Sequence, residues 1–219
     1  MLTKIKILST ISLHMSKMRG AVMDYIYEMQ KIAKVNGGII DNKTAASVGI
    51  SRAMLSKFCK ENKIQRLVRG QYILSDDIQD ELLSIELRSK QLIFSHETAL
   101  FLHGISDRMP FEHSVTAPSN KVPSKAIQQD CKIYYIKPEL FELGKTKLST
   151  QFGNEVTVYD LERTICDVIR SRNKVGSETF LAALKMYAAN SNKNLNKLNN
   201  YAKEMRIAGI VRKYMEVIL

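Results

Sequence analysis

The 219-residue sequence predicts an α+β protein that is divided into two domains. The first observation is the order of the predicted elements along the chain. Helices and one hairpin precede residue 76, and a helix, strands and further helices follow it. The second observation is the distribution of charge. Residues 1–75 hold 13 Lys and Arg against 4 Asp and Glu, whereas residues 76–219 hold 20 against 18. The net charge of +11 is therefore concentrated in the first third of the chain, which favours a polyanionic partner there.

The composition excludes several classes of protein. Hydrophobic residues make up 45% and charged residues 25%, which is typical of a folded globular chain. No run reaches the roughly 18 apolar residues that span a bilayer, and residues 1–22 lack a clean signal-peptide cleavage site. Cys59, Cys131 and Cys166 are too far apart for a zinc motif or a disulfide framework. We therefore expect a cytoplasmic protein without a metal or a cofactor, and treat residues 1–22 as a leader with a ragged start.

Residues 23–75 predict a DNA-binding domain. The predicted elements are helices over 22–35, 43–48 and 51–62, followed by strands over 64–68 and 71–74. Asn42 or Thr44 is the expected cap of the short second helix, Gly49 supplies a tight turn, and Ser51 caps the third helix. Arg69-Gly70 forms the turn of a β-hairpin. Two helices around a glycine turn, followed by a hairpin, are the plan of a winged helix-turn-helix, whose second helix enters the major groove.

The third helix of this domain separates into two faces. Met54, Leu55 and Phe58 lie on the inward face, while the other face is polar and basic. Arginine near a helix start reads base edges, and lysines further along contact phosphates. The residues predicted to contact DNA are Lys43, Thr44, Ser51, Arg52, Ser56, Lys57, Lys60, Arg66 and Arg69. Few aromatic residues accompany them, so duplex DNA is favoured over single-stranded RNA. The alternative is a basic face that only confers solubility.

The remaining residues predict a connecting helix and a second domain. The helix spans residues 76–90, with an acidic first turn and a basic last turn. In residues 91–219, Ser95 caps a helix that Gly104 ends, and Asp160 caps a later one. The other predicted elements are strands over 113–117, 131–136, 147–151 and 155–159 and helices over 161–172, 177–191, 195–206 and 209–219. This order predicts a C-terminal α+β domain with a small sheet flanked by helices.

Two motifs in the second domain carry a family resemblance. One reads Ser-His-x-x-Ala-x-x-x-His-Gly at 95–104, and the other reads Asp-Leu-Glu-Arg-Thr-Ile at 160–165, followed by an aspartate. Together with the C-terminal sequence YAKEMRIAGIVRKYMEVIL, they make the chain from about residue 23 resemble the AbiEi family. AbiEi proteins are the antitoxins of the AbiE abortive-infection system, a type IV toxin–antitoxin pair. The motif residues that we assign to the antitoxin domain are Ser95, His96, His103, Asp160, Glu162, Arg163 and Asp167.

The resemblance implies a protein with two functions. The N-terminal winged helix-turn-helix would repress its own operon by binding inverted repeats in the promoter. The C-terminal domain would counteract a nucleotidyltransferase-like toxin without stable direct binding to it. The implied partners are duplex DNA and that toxin, and no membrane partner is expected. The leader at residues 1–22 departs from the short N-terminus that is usual in the family.

The enzyme motifs of the second domain are incomplete. His96-Glu97 opens like the zinc motif HExxH, but position 100 is Leu100, and His103 is seven residues away from His96. We expect the motif residues to form structural pairs, such as an ion pair between Arg163 and Asp167, which lie four residues apart on one helix. The sequence thus predicts no catalytic residue. Two alternatives stay open: a DNA- or RNA-binding protein whose C-terminal domain is an enzyme of unknown class, and an adaptor whose basic face binds RNA or a membrane.

Overall fold

The computed structural model describes residues 24–36, 38–75 and 80–218. They belong to two compact units, Met1–Gln79 and Asp80–Leu219. The described residues form a mixed α+β fold with a three-stranded sheet in the first unit and a five-stranded sheet in the second. The predicted α+β class is confirmed. The leader predicted at residues 1–22 lies outside the described residues.

The first unit contains helices and strands in nearly the predicted order. They are α1 over residues 24–35, β1 Ile40–Asp41, α2 Asn42–Ser47, α3 Arg52–Lys60, β2 Ile64–Val68 and β3 Gln71–Leu74. Strand β3 lies in the middle of the sheet and pairs antiparallel with both neighbours. The predicted hairpin is confirmed. The sequence did not predict β1, because two residues are too few to show a period-2 pattern.

One apolar core holds the first unit together. Met29 of α1, Leu55 and Phe58 of α3, and Ile64 of β2 are buried in it. This confirms the predicted inward face of α3. Gly49 has a φ of +80°, a conformation that glycine adopts without a steric cost, and it makes the sharp turn between α2 and α3 possible.

The cap of α2 differs from the prediction. Asp41, and not Asn42 or Thr44, occupies the N-cap, and its carboxylate accepts hydrogen bonds from the backbone N–H groups of Lys43 and Thr44. The hydroxyl of Thr44 also donates to this carboxylate, and this bond is the main cause that lowers the pKa of Asp41. An acid at the cap bonds two otherwise unpartnered amides at once, whereas an Asn42 cap would have shifted the helix by one residue.

The second unit builds a mixed sheet with helices around it. Its elements are α4 Glu81–Arg88, β4 Ile93–Phe94, α5 His96–Leu102, β5 His113–Pro118, α6 Lys125–Asp130, β6 Cys131–Ile136, β7 Lys145–Ser149, β8 Glu155–Tyr159, α7 Leu161–Arg170, α8 Ser177–Ala189, α9 Leu195–Glu204 and α10 Ala208–Ile218. The strand order is β6-β5-β4-β8-β7. The β5–β6 and β4–β8 pairs are parallel, and the other two pairs are antiparallel.

Helix α4 is part of the second unit, which corrects the prediction of a connecting helix over residues 76–90. It begins at Glu81 after its cap Asp80, and residues 76–79 lie outside the described residues. Leu82 and Ile85 are buried in the core beneath the sheet. Glu86 accepts hydrogen bonds from the backbone N–H and the hydroxyl of Thr157 at 2.7 Å each. An apolar stripe and a strand contact therefore fix this helix to the sheet.

Three further details of the second unit differ from the prediction. Strand β4 and helix α6 were not predicted, because both are too short for a clear period. Strand β7 starts at Lys145 and ends at Ser149, so the turn to β8 begins earlier than expected. The predicted hairpin is confirmed, and Gly153 in its turn has a φ of +80°.

In the part of the chain that the structure describes, no helix is both long and apolar enough to cross a membrane.

Candidate nucleic-acid interface and buried motif

The outer face of α3 presents the predicted DNA-reading residues to solvent. Arg52, Ser56, Lys57 and Lys60 are all exposed, while the opposite face of the helix is buried. Ser51 is confirmed as the N-cap, and its hydroxyl oxygen accepts a hydrogen bond from the backbone N–H of Met54 at 3.3 Å. The structure therefore brings four of the nine predicted contacts onto one helix face, and a fifth to the end of that helix.

The β2–β3 hairpin carries two more basic side chains. Arg66 is exposed on β2, and its Nε donates a hydrogen bond to the carbonyl oxygen of Val68 at 3.3 Å. Arg69 is exposed in the turn beside Gly70, whose φ is +87°. A Cβ atom at Gly70 would lie 2.8 Å from the side-chain nitrogen of Asn42, so the turn packs closely against the start of α2.

The start of α2 is a weaker phosphate site than the sequence suggested. The backbone N–H groups of Lys43 and Thr44 are already bonded to the carboxylate of Asp41. A phosphate approaching this helix end would therefore meet a carboxylate, and the hydroxyl of Thr44 is bonded to the same group. Only the side chain of Lys43 is left as a phosphate ligand here.

The first unit keeps a net positive charge despite local ion pairs. Residues 24–75 hold nine Lys and Arg against four Asp and Glu, so five net positive charges remain in the described part of the unit. Glu61 lies 2.6 Å from Lys63 and 3.8 Å from Lys57, and the hydrogen bond from Lys63 lowers its pKa. These pairs are exposed, and exposed pairs contribute little and break easily. Lys57 thus stays available to a phosphate.

His96 of the second unit is the centre of a buried polar network. Its Nδ1 lies 2.9 Å from the hydroxyl of Ser95, and its Nε2 lies 3.0 Å from the hydroxyl of Ser171. The Ser95 hydroxyl also accepts a hydrogen bond from Thr116 at 2.8 Å. The imidazole stacks on the ring of Tyr134 with centroids 3.4 Å apart. Burial lowers the pKa of His96 well below its usual value, so the ring is neutral and both nitrogens are satisfied by hydroxyls.

The same network explains why Ser95 does not act as expected. Ser95 occupies the N-cap position of α5, but its hydroxyl is bonded to Thr116 and His96 instead of to the helix. His96 itself has a φ of +47°, a left-handed conformation that is uncommon for a residue with a side chain. The stacked ring and the two hydroxyl contacts hold this conformation in place.

Arg163 and Asp167 form a fully buried ion pair on α7. The Nε of Arg163 lies 3.0 Å from Oδ2 of Asp167, which confirms the predicted pairing. The Nη1 of Arg163 donates to the carbonyl oxygens of Leu140 and Leu143 at 2.9 and 2.6 Å. The guanidinium also lies over the ring of Tyr159, with its carbon 4.1 Å from the ring centroid. The pair therefore fixes the loop between β6 and β7 to helix α7.

The remaining motif residues stabilise the start of α7. Asp160 caps the helix by accepting from the backbone N–H of Arg163 at 2.9 Å, and it also accepts from the hydroxyl of Tyr201 at 2.8 Å. Glu162 accepts from the backbone N–H of Asn194 at 3.0 Å. The Nε2 of His103 lies 2.8 Å from the carbonyl oxygen of Tyr159. Each of these side chains joins separate segments of the unit.

The motif residues thus fall into three neighbouring groups instead of one cluster: the His96 network, the Arg163–Asp167 pair and the cap of α7. Sequence reasoning missed Tyr134 and Ser171, the partners of His96, since nothing local marks a contact across 75 residues of chain. Within residues 24–36, 38–75 and 80–218, no three His, Cys, Asp or Glu side chains are grouped so as to hold a metal ion.

Comparison with known proteins bears on the fold alone. The chain is similar to the crystal structure of the RV2827C protein from Mycobacterium tuberculosis, with a TM-score of 0.58 and 11% sequence identity. The superposition covers 82% of this chain and 71% of that chain. No protein-family model and no curated protein matches the sequence. The similarity therefore supports the mixed α+β architecture.

Proposed function

We propose that this protein is a DNA-binding transcriptional autorepressor and that its second unit is the antitoxin of a type IV toxin–antitoxin pair. The observation that carries the first half is the outer face of α3, where Arg52, Lys57 and Lys60 are exposed together. Helices α2 and α3 around Gly49, followed by a basic hairpin, support a winged helix-turn-helix. The motifs shared with the AbiEi family support the second half.

In this proposal, α3 lies in the major groove and the hairpin contacts the flanking backbone. Arg52, in the first turn of α3, reads a base edge, because a guanidinium bonds guanine through two hydrogen bonds. Lys57 and Lys60 lie further along the same face and contact phosphates. Arg66 and Arg69 on the hairpin enter the minor groove or bind the adjoining phosphates. The second unit, which holds the motif residues, then counteracts a nucleotidyltransferase-like toxin.

A DNA titration with two variants tests the reading helix. If about six basic side chains meet phosphates, affinity for the upstream DNA should fall about a thousandfold between 50 and 200 mM salt. Arg52→Ala should reduce the preference for operator over unrelated duplex, whereas Lys60→Ala should weaken both equally. Lys185→Ala, which removes an exposed charge from the second unit, is the matched control. A flat salt response would refute the electrostatic part of the proposal.

Rescue from the toxin tests the division between the units. The full chain should rescue cells that express an AbiE-type nucleotidyltransferase toxin. A variant with Arg52, Lys57 and Lys60 all changed to Ala should still rescue when it is expressed from an unrelated promoter, although it no longer represses its own. Loss of rescue with the protein still folded would mean that DNA binding is needed for the antitoxin activity, which contradicts the proposed division.

A further inference from the structure

Two cavities on the second unit share one wall. The first, of about 430 Å³, lies between β6 and the segment that follows α7. The second, of about 440 Å³, lies between the loop after β6 and the end of α9. Tyr135 and Arg170 line both cavities, so these two side chains form the shared wall. Each cavity is large enough for one small ligand or nucleotide. We name the two cavities and their shared wall the Tyr135 groove.

Tyr135 presents an aromatic ring to solvent in this wall. It lies on β6, at the edge of the described five-stranded sheet, and 48% of its surface is exposed. The preceding residue, Tyr134, also lines the first cavity, but it is buried and its ring stacks on His96. The stack on His96 therefore fixes the strand and leaves the next ring pointing outward. An exposed tyrosine is the kind of side chain on which a nucleic-acid base stacks.

Arg170 contacts a buried carboxylate of the second unit. Its Nη2 lies 3.6 Å from Oδ1 of Asp167, a fully buried carboxylate that Arg163 holds on its other oxygen. The exposed fraction of the Arg170 side chain is 26%, and this side chain lines both cavities of the groove. An arginine that is already ordered loses less conformational freedom when it binds an anion.

Arg206 brings a second guanidinium to the groove at a conformational cost. It follows α9 with a φ of +57°, in the left-handed region where glycine is the usual residue at a helix end. The chain carries arginine here although glycine would relax the backbone. Its side chain lines the second cavity. Strained positions that keep a functional side chain are characteristic of binding sites.

The charges that line the groove select the class of ligand. The first cavity is lined by Arg170 and Lys174, and none of the described residues that line it is acidic. The second cavity has three cationic side chains against two acidic ones: Lys137, Arg170, Arg206, Glu139 and Glu204. Cations on both sides of an exposed aromatic ring match a chain whose phosphates alternate with flat bases. A duplex does not fit, because its bases are stacked inside and a concave surface does not enter its grooves.

We propose that the Tyr135 groove binds a single strand of nucleic acid. One base stacks on Tyr135, Arg170 binds the adjoining phosphate, and the flanking nucleotides occupy the two cavities. The inference goes beyond the proposed function, because it assigns to the second unit a single-strand site that is separate from the duplex-binding face of α3.

The test is a fluorescence-anisotropy titration of the full-length protein. The probes are labelled ten-nucleotide strands of oligouridine RNA and oligodeoxyuridine DNA, which differ only in the 2′-hydroxyl, with excess unlabelled duplex DNA present to occupy the first unit. Tyr135→Ala should weaken binding about tenfold, the typical effect of losing one base stack, whereas Tyr135→Phe should stay within about twofold. A difference between the two strands would show whether the site recognises the 2′-hydroxyl.

Arg206→Gly separates binding from folding. The substitution removes the positive charge but suits the left-handed backbone, so the variant should melt at the same temperature or higher while it binds the strand more weakly and with a smaller salt dependence. Tyr27→Ala is the matched control for Tyr135→Ala, because Tyr27 is a comparably exposed tyrosine, at 59%, on the first unit. Its affinity for the single strand should equal that of the wild type.

Three results would overturn the proposal. In the first, Tyr135→Ala binds the strand as tightly as the wild type. In the second, Lys60→Ala weakens single-strand binding as much as Tyr135→Ala does. In the third, oligoglutamate displaces the labelled strand as effectively as an unlabelled strand does. The last result would make the groove a general anion surface. Duplex binding, measured separately with Lys60→Ala, tests the α3 face, so either proposal can fail without the other.

Discussion

Replacing Arg163 with alanine is expected to remove a substantial part of the stability of the second unit. The change leaves Asp167 as a buried carboxylate without its main partner, and it leaves the carbonyl oxygens of Leu140 and Leu143 without their donor. Breaking a buried ion pair by removing one partner costs about 3–5 kcal/mol, and an unpartnered buried carbonyl costs about 1 kcal/mol more. These terms overlap, so we expect a loss of about 4 kcal/mol, against about 5–15 kcal/mol for a typical domain.

Urea unfolding of the full chain, followed by far-UV circular dichroism, measures this loss. Arg212→Ala, on the exposed face of α10, is the control and should change the free energy of unfolding by less than about 0.5 kcal/mol. The double variant Arg163→Met with Asp167→Leu should be more stable than Arg163→Ala, because it leaves no uncompensated charge. A cost below about 1 kcal/mol for Arg163→Ala would refute the conclusion that this pair anchors the loop after β6.

The remaining predictions concern two glycines, one buried histidine and one helix cap. Gly144→Ala should destabilise the second unit by more than about 2 kcal/mol in urea unfolding, since Gly144 has a φ of +76° and a Cβ atom would lie 2.6 Å from that of Arg163. Gly153→Ala, with a similar φ but open space around it, should cost only about 1 kcal/mol. As the pH falls below about 6.5, the second unit should lose up to about 1.4 kcal/mol per pH unit through His96, because the unfolded imidazole binds a proton before the folded one does. Ser51→Ala should lower the melting temperature of the first unit, at a cost of about 1 kcal/mol for the lost cap.

Each of these predictions has an opposing result. Equal costs for the two glycine variants would show that the contact with Arg163 adds nothing to backbone strain. The pH dependence should flatten in His96→Asn, and an unchanged slope in that variant would assign it to other groups. A Ser51→Ala variant with unchanged melting would indicate that water replaces the cap.

The local parts of the fold were predictable from the sequence. Ser51 and Asp160 begin their helices as expected, because a side-chain cap acts within three residues of chain. Gly49 and Gly153 mark turns, since few other residues adopt a positive φ without strain. The faces of α3 followed from its period, and so did the exposed position of Arg52.

The longer-range parts were not predictable. Strand β4 has two residues, and it exists only because strands on both sides supply its hydrogen bonds. The capping role of Asp41 depends on β1 ending where α2 begins. Tyr135 has no feature in the sequence that separates it from Tyr134, because which of the two rings is buried depends on how β6 sits in the sheet.

The position of β4 in the sheet has a consequence for synthesis. Phe94 of β4 pairs with Val158 of β8, so the middle of the five-stranded sheet joins segments that are more than sixty residues apart. The β-structure of the first unit instead pairs residues within Ile40–Leu74. A nascent chain can therefore complete the first unit long before β8 leaves the ribosome, whereas the second must hold its early apolar strands open until then. On the ribosome, the two units thus differ in how long they need protection by chaperones. The second unit, which holds the buried motif, needs it for longer.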